Sequence, residues 1–195
     1  MGTDLLPEDI LHLCEVHEWK HACAILKEDF PREWQDIVEV LQGFRLLRSH
    51  VAAPGGGLSQ ISTTIGRKFL SRGWLEKGFE TLVVVDKVPQ ESPTHKVDCF
   101  RNGVALEVEW NNKDPFYDRD LNNFRLLFDL RAISVGVIIT RSDELQDIFD
   151  SLGRGKSYGP STTHMSKLLR RVKGGGGGGC PILVFGITKR LYVED

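Results

Sequence analysis

An Asn-Gly pair at positions 102–103 constrains the fold of this chain more than any other feature. It separates two segments of alternating residue types, 96–101 and 104–110. A two-residue turn of type I′ requires positive φ at both central residues, which Asn and Gly adopt most readily, so the pair predicts a tight β-hairpin. In the register that such a turn sets, Asp98 faces Glu107 across the hairpin, and Lys96 faces Glu109.

Acidic residues gather on one face of this predicted hairpin. Because side chains alternate along a strand, Asp98, Glu107, Glu109 and Lys96 share that face, whereas the apolar residues between the acids point into the core. Directly opposed like charges destabilise a sheet. A bound cation would offset the repulsion, and Mg²⁺ takes one or two carboxylates together with water and phosphate oxygens. The pattern therefore predicts a magnesium site; the alternative is a solvated strand face without a ligand.

Composition sets broad limits on the fold and on the environment. The chain has 195 residues, 41% of them hydrophobic, which suits one domain with a proper core. Its four cysteines are far apart, as is typical of reduced thiols rather than of disulfides or a zinc site. No signal peptide or membrane span is predicted, so we expect a cytoplasmic protein. The net charge of −2 neither supports nor opposes a nucleic-acid partner.

Hydrophobic periodicity and turn residues predict the other elements. Helices are expected at residues 33–41, 59–72, 114–132, 144–152 and 164–172. Strands are expected, besides the hairpin, at residues 81–85, 134–140 and 181–188. Residues 8–30 fit either a short strand or a helix before a turn at Pro31. Loops are expected at 53–57, 89–94 and 153–163, and the six glycines at 174–179 predict a solvent loop too flexible to pack. This order predicts an α/β (α+β) fold, a central mixed β-sheet flanked by helices.

Two polar segments are candidates for binding nucleic acid. The amides of Asn111 and Asn112 suit adenine, and Lys113 suits guanine or phosphate; the alternative is a helix-entry loop that bonds to itself. A second segment, at the start of a basic helix, offers donors to phosphate or base edges: Ser161, Thr162, Thr163, His164 and Lys167. The alternative there is helix capping by Ser or Thr. The basic pair Arg67 and Lys68 fits an exposed helix face better than a phosphate contact.

The pattern of Asp98, then Glu107 and Glu109, resembles the PD-(D/E)XK nuclease superfamily, whose hairpin carries Asp, then Glu or Asp, then usually Lys. The chain more closely resembles the BglII/BstYI family of type II restriction endonucleases. The resembling segments read HACAILKEDFPREWQDIVEVL, ISTTIGRKFLSRGW, KVDCFRNGVALEVEWNNKDPFYDRDLNNFRLLF, STTHMSKLLRRV and CPILVFGI. The acidic pattern alone is weakly specific, whereas this ordered set, from about His21 to Ile187, is fairly specific.

The resemblance implies a Mg²⁺-dependent endonuclease with a restriction-endonuclease-like core. Residues 1–195 would form one nuclease domain, with an N-terminal helical and dimerisation part at 1–58 and a catalytic core at 59–195. Asp98, Glu107 and the Val108 carbonyl would bind the metal. Glu109 takes the place of the usual Lys, so its role as base or as metal ligand stays open. Asn112 matches a base-contacting position of the family.

The family also implies a homodimer that cuts palindromic double-stranded DNA, leaves a 5′ overhang, often reads a GATC core, and has a cognate DNA methyltransferase in its host. Other interpretations remain open at this point. One is a structure-specific repair or recombination nuclease on the same core. Another is a catalytically silent DNA-binding or dimerisation module, since the usual Lys is absent. A third is an α/β protein that binds a divalent ion for structure alone.

Overall fold

The computed structural model of the protein describes residues 2–53, 59–91 and 94–195. Its α-helices are α1 (Glu8–Leu13), α2 (Ala22–Asp29), α3 (Pro31–Gln42), α4 (Arg48–Ala52), α5 (Gln60–Leu70), α6 (Phe116–Asp129), α7 (Gln146–Ser151) and α8 (Met165–Lys173). Its strands are β1 (Cys14–Trp19), β2 (Leu46–Leu47), β3 (Leu75–Lys77), β4 (Leu82–Val85), β5 (Val88–Glu91), β6 (Val97–Arg101), β7 (Val104–Val108), β8 (Val135–Arg141), β9 (Ile182–Ile187) and β10 (Tyr192–Val193). Most of the predicted break at 53–57 and part of the predicted loop at 89–94 lie outside the described residues. No helix within those residues is long and apolar enough to cross a membrane.

A six-stranded mixed sheet forms the centre of the described part, in the order β1-β9-β8-β7-β6-β3. The strands β7, β8 and β9 are parallel to one another. On one side β6 pairs antiparallel with β7, and on the other β1 pairs antiparallel with β9. Helices pack on both faces, so the predicted mixed sheet flanked by helices is confirmed. Parallel strands covered on both faces form nearly continuous apolar runs, as β9 and residues 135–139 of β8 show.

Two apolar clusters lie on the two faces of this sheet. The first, here called the α5 side, contains residues of α2, α3 and α5 such as Leu26, Ile37 and Phe69. The second, the α6 side, contains residues of α6 and α8 such as Phe124 and Leu168. Fully burying a side chain of this size stabilises a fold by about 1.5–3 kcal/mol. The hairpin β6–β7 therefore lies between two helical layers.

Helix α3 forms for the reason that its sequence pattern predicts. Its predicted apolar residues recur at helical spacing and are buried: Trp34, Ile37, Val38 and Leu41. The helix begins at Pro31 rather than after it. Proline is tolerated in the first helical turn because the N–H that it lacks has no intrahelical partner there. The turn expected at Pro31 is thus the first turn of the helix itself.

The N-terminal part contributes a strand as well as helices. Residues 8–30, for which strand and helix were both open, contain α1, β1 and α2. Strand β1 pairs with β9 along its whole length, from Cys14–Ile187 to Trp19–Ile182. Helices α2 and α3 belong to the same cluster as the sheet residues. The described residues of the part assigned to 1–58 thus include a strand of the central sheet and helices that pack in its core.

The predicted strand at residues 81–85 forms as β4, but not in the central sheet. It pairs antiparallel with β5 in a separate two-stranded sheet. Residues 89–91, predicted as loop, belong to β5, so that prediction is wrong for them. The turn between the strands has Asp86 and Lys87 at φ of 48° and 66°. Lysine rarely adopts positive φ, which is why the sequence did not indicate this hairpin.

Part of the six-glycine segment 174–179 packs against the protein. The prediction of a loop too flexible to pack is wrong for Gly177 and Gly178, whereas the other four glycines are exposed as a solvent loop would be. Gly177 is buried, and a Cβ placed on it would lie 2.3 Å from Ile182 Cδ1. A Cβ on Gly178, which has φ of 56°, would lie 2.7 Å from Arg125 Cγ. The missing side chains therefore allow this segment to lie close to α6 and β9.

Candidate active site

The hairpin β6–β7 forms as its turn residues predict. Asn102 and Gly103 have φ of 47° and 87°. The paired residues are Cys99 with Leu106, Phe100 with Ala105, and Arg101 with Val104. Asn102 Nδ2 donates to Glu33 Oε1 at 2.8 Å, and Arg101 Nη1 donates to Asp36 Oδ2 at 3.0 Å. These bonds link the turn of the hairpin to α3. Asp98 and Glu107 lie at the opposite end of the hairpin, which is called its open end below.

Asp98 and Glu107 lie side by side at this open end. The Asp98 N–H donates to Glu107 Oε2 at 3.2 Å. The Val108 N–H donates to Asp98 Oδ2 at 3.0 Å. Each carboxylate therefore reaches the backbone of the opposite strand. That the pair binds one ion stays a prediction.

Strand β6 changes face at Asp98. Val97 packs in the α6-side cluster, whereas Cys99 packs in the α5-side cluster, although residues two apart in a regular strand share a face. The pairing of β3 with β6 also shifts its register here. Asp98 consequently lines a groove on the α5 side, as Cys99 does. The prediction that regular alternation places Asp98 on the face of Glu107 and Glu109 is wrong, because the alternation is broken at this residue. Its carboxylate nevertheless lies near enough to both glutamates to raise their pKa values.

Glu107 is the most deeply buried acid of the hairpin. Its side chain is 0% exposed, and its Oε1 has no hydrogen-bond partner among the described residues. Burial raises the pKa of Glu107 well above its ordinary value, and the carboxylates of Asp120 and Asp98 raise it further. Burying a carboxylate without a partner is costly. The position therefore favours a bound positive charge.

Glu109 is held by an amide and a guanidinium. It is 2% exposed; Asn112 Nδ2 donates to its Oε2 at 2.7 Å, and Arg119 Nη2 lies 3.3 Å from its Oε1. Burial raises the pKa of Glu109, and both partners act in the opposite direction. Lys96, predicted to pair with Glu109, has its Nζ 3.5 Å from Glu76 Oε2 instead. That pairing was wrong because the regular β6–β7 ladder does not extend so far.

Asp120 is an acid of the site that sequence reasoning missed. It lies on α6 and is 0% exposed; Arg119 Nε donates to its Oδ1 at 3.0 Å, and its carboxyl group shares a side-chain hydrogen bond with Glu109. Burial raises the pKa of Asp120 to about 9, with a further contribution from the Glu109 carboxylate, while Arg119 acts in the opposite direction. A signal was available, because Asp120 stands four residues before Phe124, on the apolar stripe of the helix. An acid on such a stripe indicates a buried charge with a function.

The donors around Glu107 fit a hard divalent cation. Such cations bind carboxylate and carbonyl oxygens, and the unpartnered Oε1 of Glu107 is the observation that supports the fit. Within the ranges that the structure describes, no three His, Cys, Asp or Glu side chains are grouped so as to hold a metal ion. A metal here would therefore be bound by two acids, Asp98 and Glu107, the main-chain carbonyl of Val108, and oxygens from outside the protein.

The two segments predicted to bind nucleic acid lie against each other. Lys113 and Thr162 form an isolated antiparallel bridge. The Thr163 N–H donates to the Asn112 carbonyl at 2.8 Å, and the Asp114 N–H donates to the Ser161 carbonyl at 3.1 Å. Residues 111–113 and 161–164 are named the paired loops below. Their link to Glu109 through the Asn112 side chain places them beside the acids.

The side chains of the paired loops differ in how far they are exposed to solvent. Lys113 and Ser161 are exposed, whereas Asn111, Asn112, Thr162 and His164 are partly buried. Thr163 is fully buried, and its Oγ1 accepts the Asn112 N–H at 3.2 Å, so its side chain shapes the loops rather than facing a ligand. Lys167 Nζ lies 2.9 Å from Asp114 Oδ2. Capping by Ser or Thr is not found at α8, whose N-cap residue His164 makes no side-chain cap bond.

Arg141, which sequence reasoning also missed, donates hydrogen bonds to one of the paired loops, residues 161–164. It ends strand β8 and is 1% exposed. Its Nε donates to the Thr163 carbonyl at 3.0 Å, and its Nη2 donates to the Tyr158 carbonyl at 2.8 Å and to Thr162 Oγ1 at 3.0 Å. A buried charge costs free energy unless it is hydrogen-bonded. The only signal in the sequence is an arginine directly after a buried apolar strand.

Comparison with known families agrees with this arrangement. The family model for restriction endonuclease BglII/BglIII matches residues 14–187, from the first residue of β1 to the last of β9. The chain belongs to this family. A comparison with curated proteins found no match. As a BglII/BglIII-type restriction endonuclease, the protein is a hydrolase, a site-specific deoxyribonuclease that acts on double-stranded DNA.

Membership of this family is relevant to the metal and to the residues of the candidate site. Restriction endonucleases generally use divalent metal ions. The matched range includes the acids of the hairpin, Asp120 on α6 and both paired loops. Glu109 stands where the resemblance noted in the sequence implies a Lys, and Asn112 and Arg119 contact its carboxylate.

Proposed function

We propose that the protein is a type II restriction endonuclease: a homodimer that hydrolyses both strands of a palindromic DNA site in a Mg²⁺-dependent reaction. The observation that carries this proposal is the buried carboxylate of Glu107, with one oxygen unpartnered, next to Asp98 at the open end of the hairpin. A twofold protein presents the same surface twice, which suits a twofold DNA site.

In this proposal Asp98, Glu107 and the Val108 carbonyl hold the metal. When bound, Mg²⁺ supplies positive charge against the phosphate under attack and makes water more acidic. Glu109 orients the attacking water or accepts its proton at a carboxylate oxygen. The Asn112 amide and the Arg119 guanidinium hold Glu109 in place for that role.

The paired loops read the DNA in the same proposal. Asn111, Asn112 and Lys113 follow the catalytic strand directly, so they would lie near the cut phosphate. Ser161, Thr162 and His164 belong to the opposite loop, and Thr163 and Lys167 hold the loops in shape. We further propose one nuclease domain over residues 1–195, a site with a GATC core, a 5′ overhang, and a cognate methyltransferase in the host cytoplasm.

A digest of a sequenced plasmid tests the function. Incubation with Mg²⁺ is expected to give discrete fragments, and mapping of their ends gives the site and the overhang. A smear would indicate a repair or recombination nuclease, and absence of nicking with either Mg²⁺ or Mn²⁺ would indicate a silent DNA-binding module.

Substitution of the acids tests the site. We expect Asp98→Asn and Glu107→Gln each to lower the cleavage rate by about 100-fold or more, because each removes a ligand of the metal on which the charge stabilisation depends. DNA binding measured without metal should persist in both variants. Asp147→Asn, which changes an exposed acid on α7, is the matched control and should cut at the rate of the unmodified protein. Retained cutting by either hairpin variant would reject the site.

A further inference from the structure

The candidate site is open to solvent on one side. Of its four acids, Glu107, Glu109 and Asp120 are buried, whereas Asp98 is exposed. A substrate phosphate must therefore approach the site at Asp98. Asp98 lines a groove of about 310 Å³ between α5 and the hairpin.

Helix α5 forms the far wall of this groove. The groove residues are Ser62, Thr63, Gly66, Arg67 and Leu70 on the helix, and Glu76, Asp98, Cys99 and Val108 on the sheet. The hydroxyl groups on the helix are engaged locally, since Ser62 Oγ lies 2.9 Å from Ser59 Oγ and Thr63 Oγ1 donates to the Ser59 carbonyl at 2.9 Å. Gly66 widens the groove, because a Cβ placed on it would meet nothing within 4 Å.

Arg67 is the one cation among the residues that line the groove; next to the lining, Lys96 Nζ lies 3.5 Å from Glu76 Oε2. Without Arg67 its lining would carry two acids, Glu76 and Asp98, and no cation. Such a surface repels a phosphodiester backbone. Arg67 is exposed and makes no hydrogen bond or ion pair within the part of the chain that the structure describes. Its guanidinium is therefore free to bind an anionic ligand.

The cations near Arg67 already bind other groups of the protein, and Arg67 differs from them in this respect. Lys68, the other member of the basic pair, donates to the Gly43 carbonyl just after α3. Arg72 Nη2 lies 3.5 Å from Glu39 Oε2, and Arg101 donates to Asp36. The sequence could not distinguish Arg67 from Lys68, and the structure does so.

We propose that this groove is the path by which the DNA strand reaches the catalytic acids, and that Arg67 binds a backbone phosphate of that strand. The proposal rests on the proposed function and adds to it a phosphate-binding residue on α5. A guanidinium is suited to the task because its fork of N–H donors matches two phosphate oxygens. The interaction is with the backbone, so it contributes equally to every DNA sequence.

Salt-dependent binding tests the role of Arg67 without any requirement for cleavage. Binding of a labelled duplex of defined sequence is measured in EDTA at a series of salt concentrations. Removing one cation that neutralises a phosphate should reduce the slope of log K against log salt by about 0.9 in magnitude, and we expect this change for Arg67→Ala. The matched control, Arg32→Ala, removes an exposed arginine from α3 and should leave the slope unchanged. Arg67→Lys should recover most of the slope, because it keeps the charge.

Cleavage provides the second readout. We expect Arg67→Ala to lower the single-turnover rate on plasmid DNA by about tenfold, the effect of removing one charged hydrogen bond of about 1.5 kcal/mol. Thermal unfolding should be unchanged, since the Arg67 guanidinium makes no bond within the described protein that the substitution could break. If the unmodified protein cuts and Arg67→Ala matches Arg32→Ala in both slope and rate, the groove proposal is wrong and the endonuclease stands. If nothing cuts but the slope falls, the DNA path stands and the catalytic proposal fails.

Discussion

Two hairpins of this chain, β4–β5 and β6–β7, have the same kind of turn and different surroundings. Each turn has two central residues at positive φ, Asp86 and Lys87 in one and Asn102 and Gly103 in the other. Strand β7 is buried at every position. The apolar side chains of the first hairpin are, by contrast, more than half exposed: Leu82, Val84, Val85 and Val88.

The difference shows that a turn determines a hairpin but not its place in the fold. The hairpin β6–β7 has β3 on one side and β8 on the other, and helices cover both its faces. The hairpin β4–β5 pairs with no third strand among the described residues, and an isolated two-stranded sheet is marginally stable at best. The acids that need a rigid support are accordingly on β6–β7.

The largest effect should come from removing apolar volume in the two hairpins. Leu106→Ala, in the fully buried strand β7, should lower the free energy of unfolding by about 2–5 kcal/mol, because it leaves a cavity. Val84→Ala in β4 should change it by less than about 0.5 kcal/mol, because Val84 is 61% exposed. Urea denaturation measures both. Equal effects would mean that β4–β5 is as firmly packed as β6–β7.

A smaller effect, this time an increase in the free energy of unfolding, is expected from a substitution of Asp120 on α6. Asp120→Asn should raise the free energy of unfolding in EDTA by about 1–3 kcal/mol, since it removes a buried acid that lies beside the Glu109 carboxylate and keeps the size of the side chain. The folded-state pKa of Asp120 is raised to about 9, so between about pH 4 and about pH 9 the folded protein keeps a proton that the unfolded chain releases. The unmodified protein therefore loses stability as the pH rises through this range. Asn does not titrate, so the gain in the free energy of unfolding from Asp120→Asn should grow with pH and vanish near pH 4.

The control for this substitution lies in the first hairpin. Asp86 is exposed, so Asp86→Asn should give no pH-dependent gain. Thermal unfolding of both variants across the pH range provides the comparison. A gain for Asp120→Asn that does not change with pH would contradict the role assigned to its buried charge.

The smallest effects are expected at the turns. Gly103→Ala should lower the free energy of unfolding by about 1–2 kcal/mol, because Gly103 has φ of 87° and a side chain is strained there. Lys87→Gly should have the opposite sign and raise it by up to about 1 kcal/mol, since glycine relieves the strain at φ of 66°. Chemical denaturation measures both, and a loss of stability in Lys87→Gly would show that the lysine side chain, not the backbone, matters at that turn.

Local patterns predicted much of the fold and of the hairpin site. The Asn-Gly turn, the apolar spacing of α3 and the β-branched run of β8 are properties of neighbouring residues, and each formed where it was expected. Contacts between distant segments were not accessible in this way. The bridge of Lys113 to Thr162 and the packing of Gly177 against Ile182 both depend on the tertiary fold. The break of alternation at Asp98 arises from packing on two opposite faces, which no single strand pattern records.

Helix α6 approaches the sheet closely at one point, and this has a consequence for the chemistry. A Cβ on Gly136 in β8 would lie 2.3 Å from Phe124 Cδ2, so the aromatic ring occupies the space that a methyl group would take. Asp120 precedes Phe124 by about one helical turn, roughly 6 Å along the axis. Because both residues belong to one rigid helix, a shift of Phe124 away from the strand would also move Asp120, which lies beside Glu109. The hydrogen atom that Gly136 has in place of a methyl group is what lets α6, the helix that carries Asp120, pack this closely on the sheet.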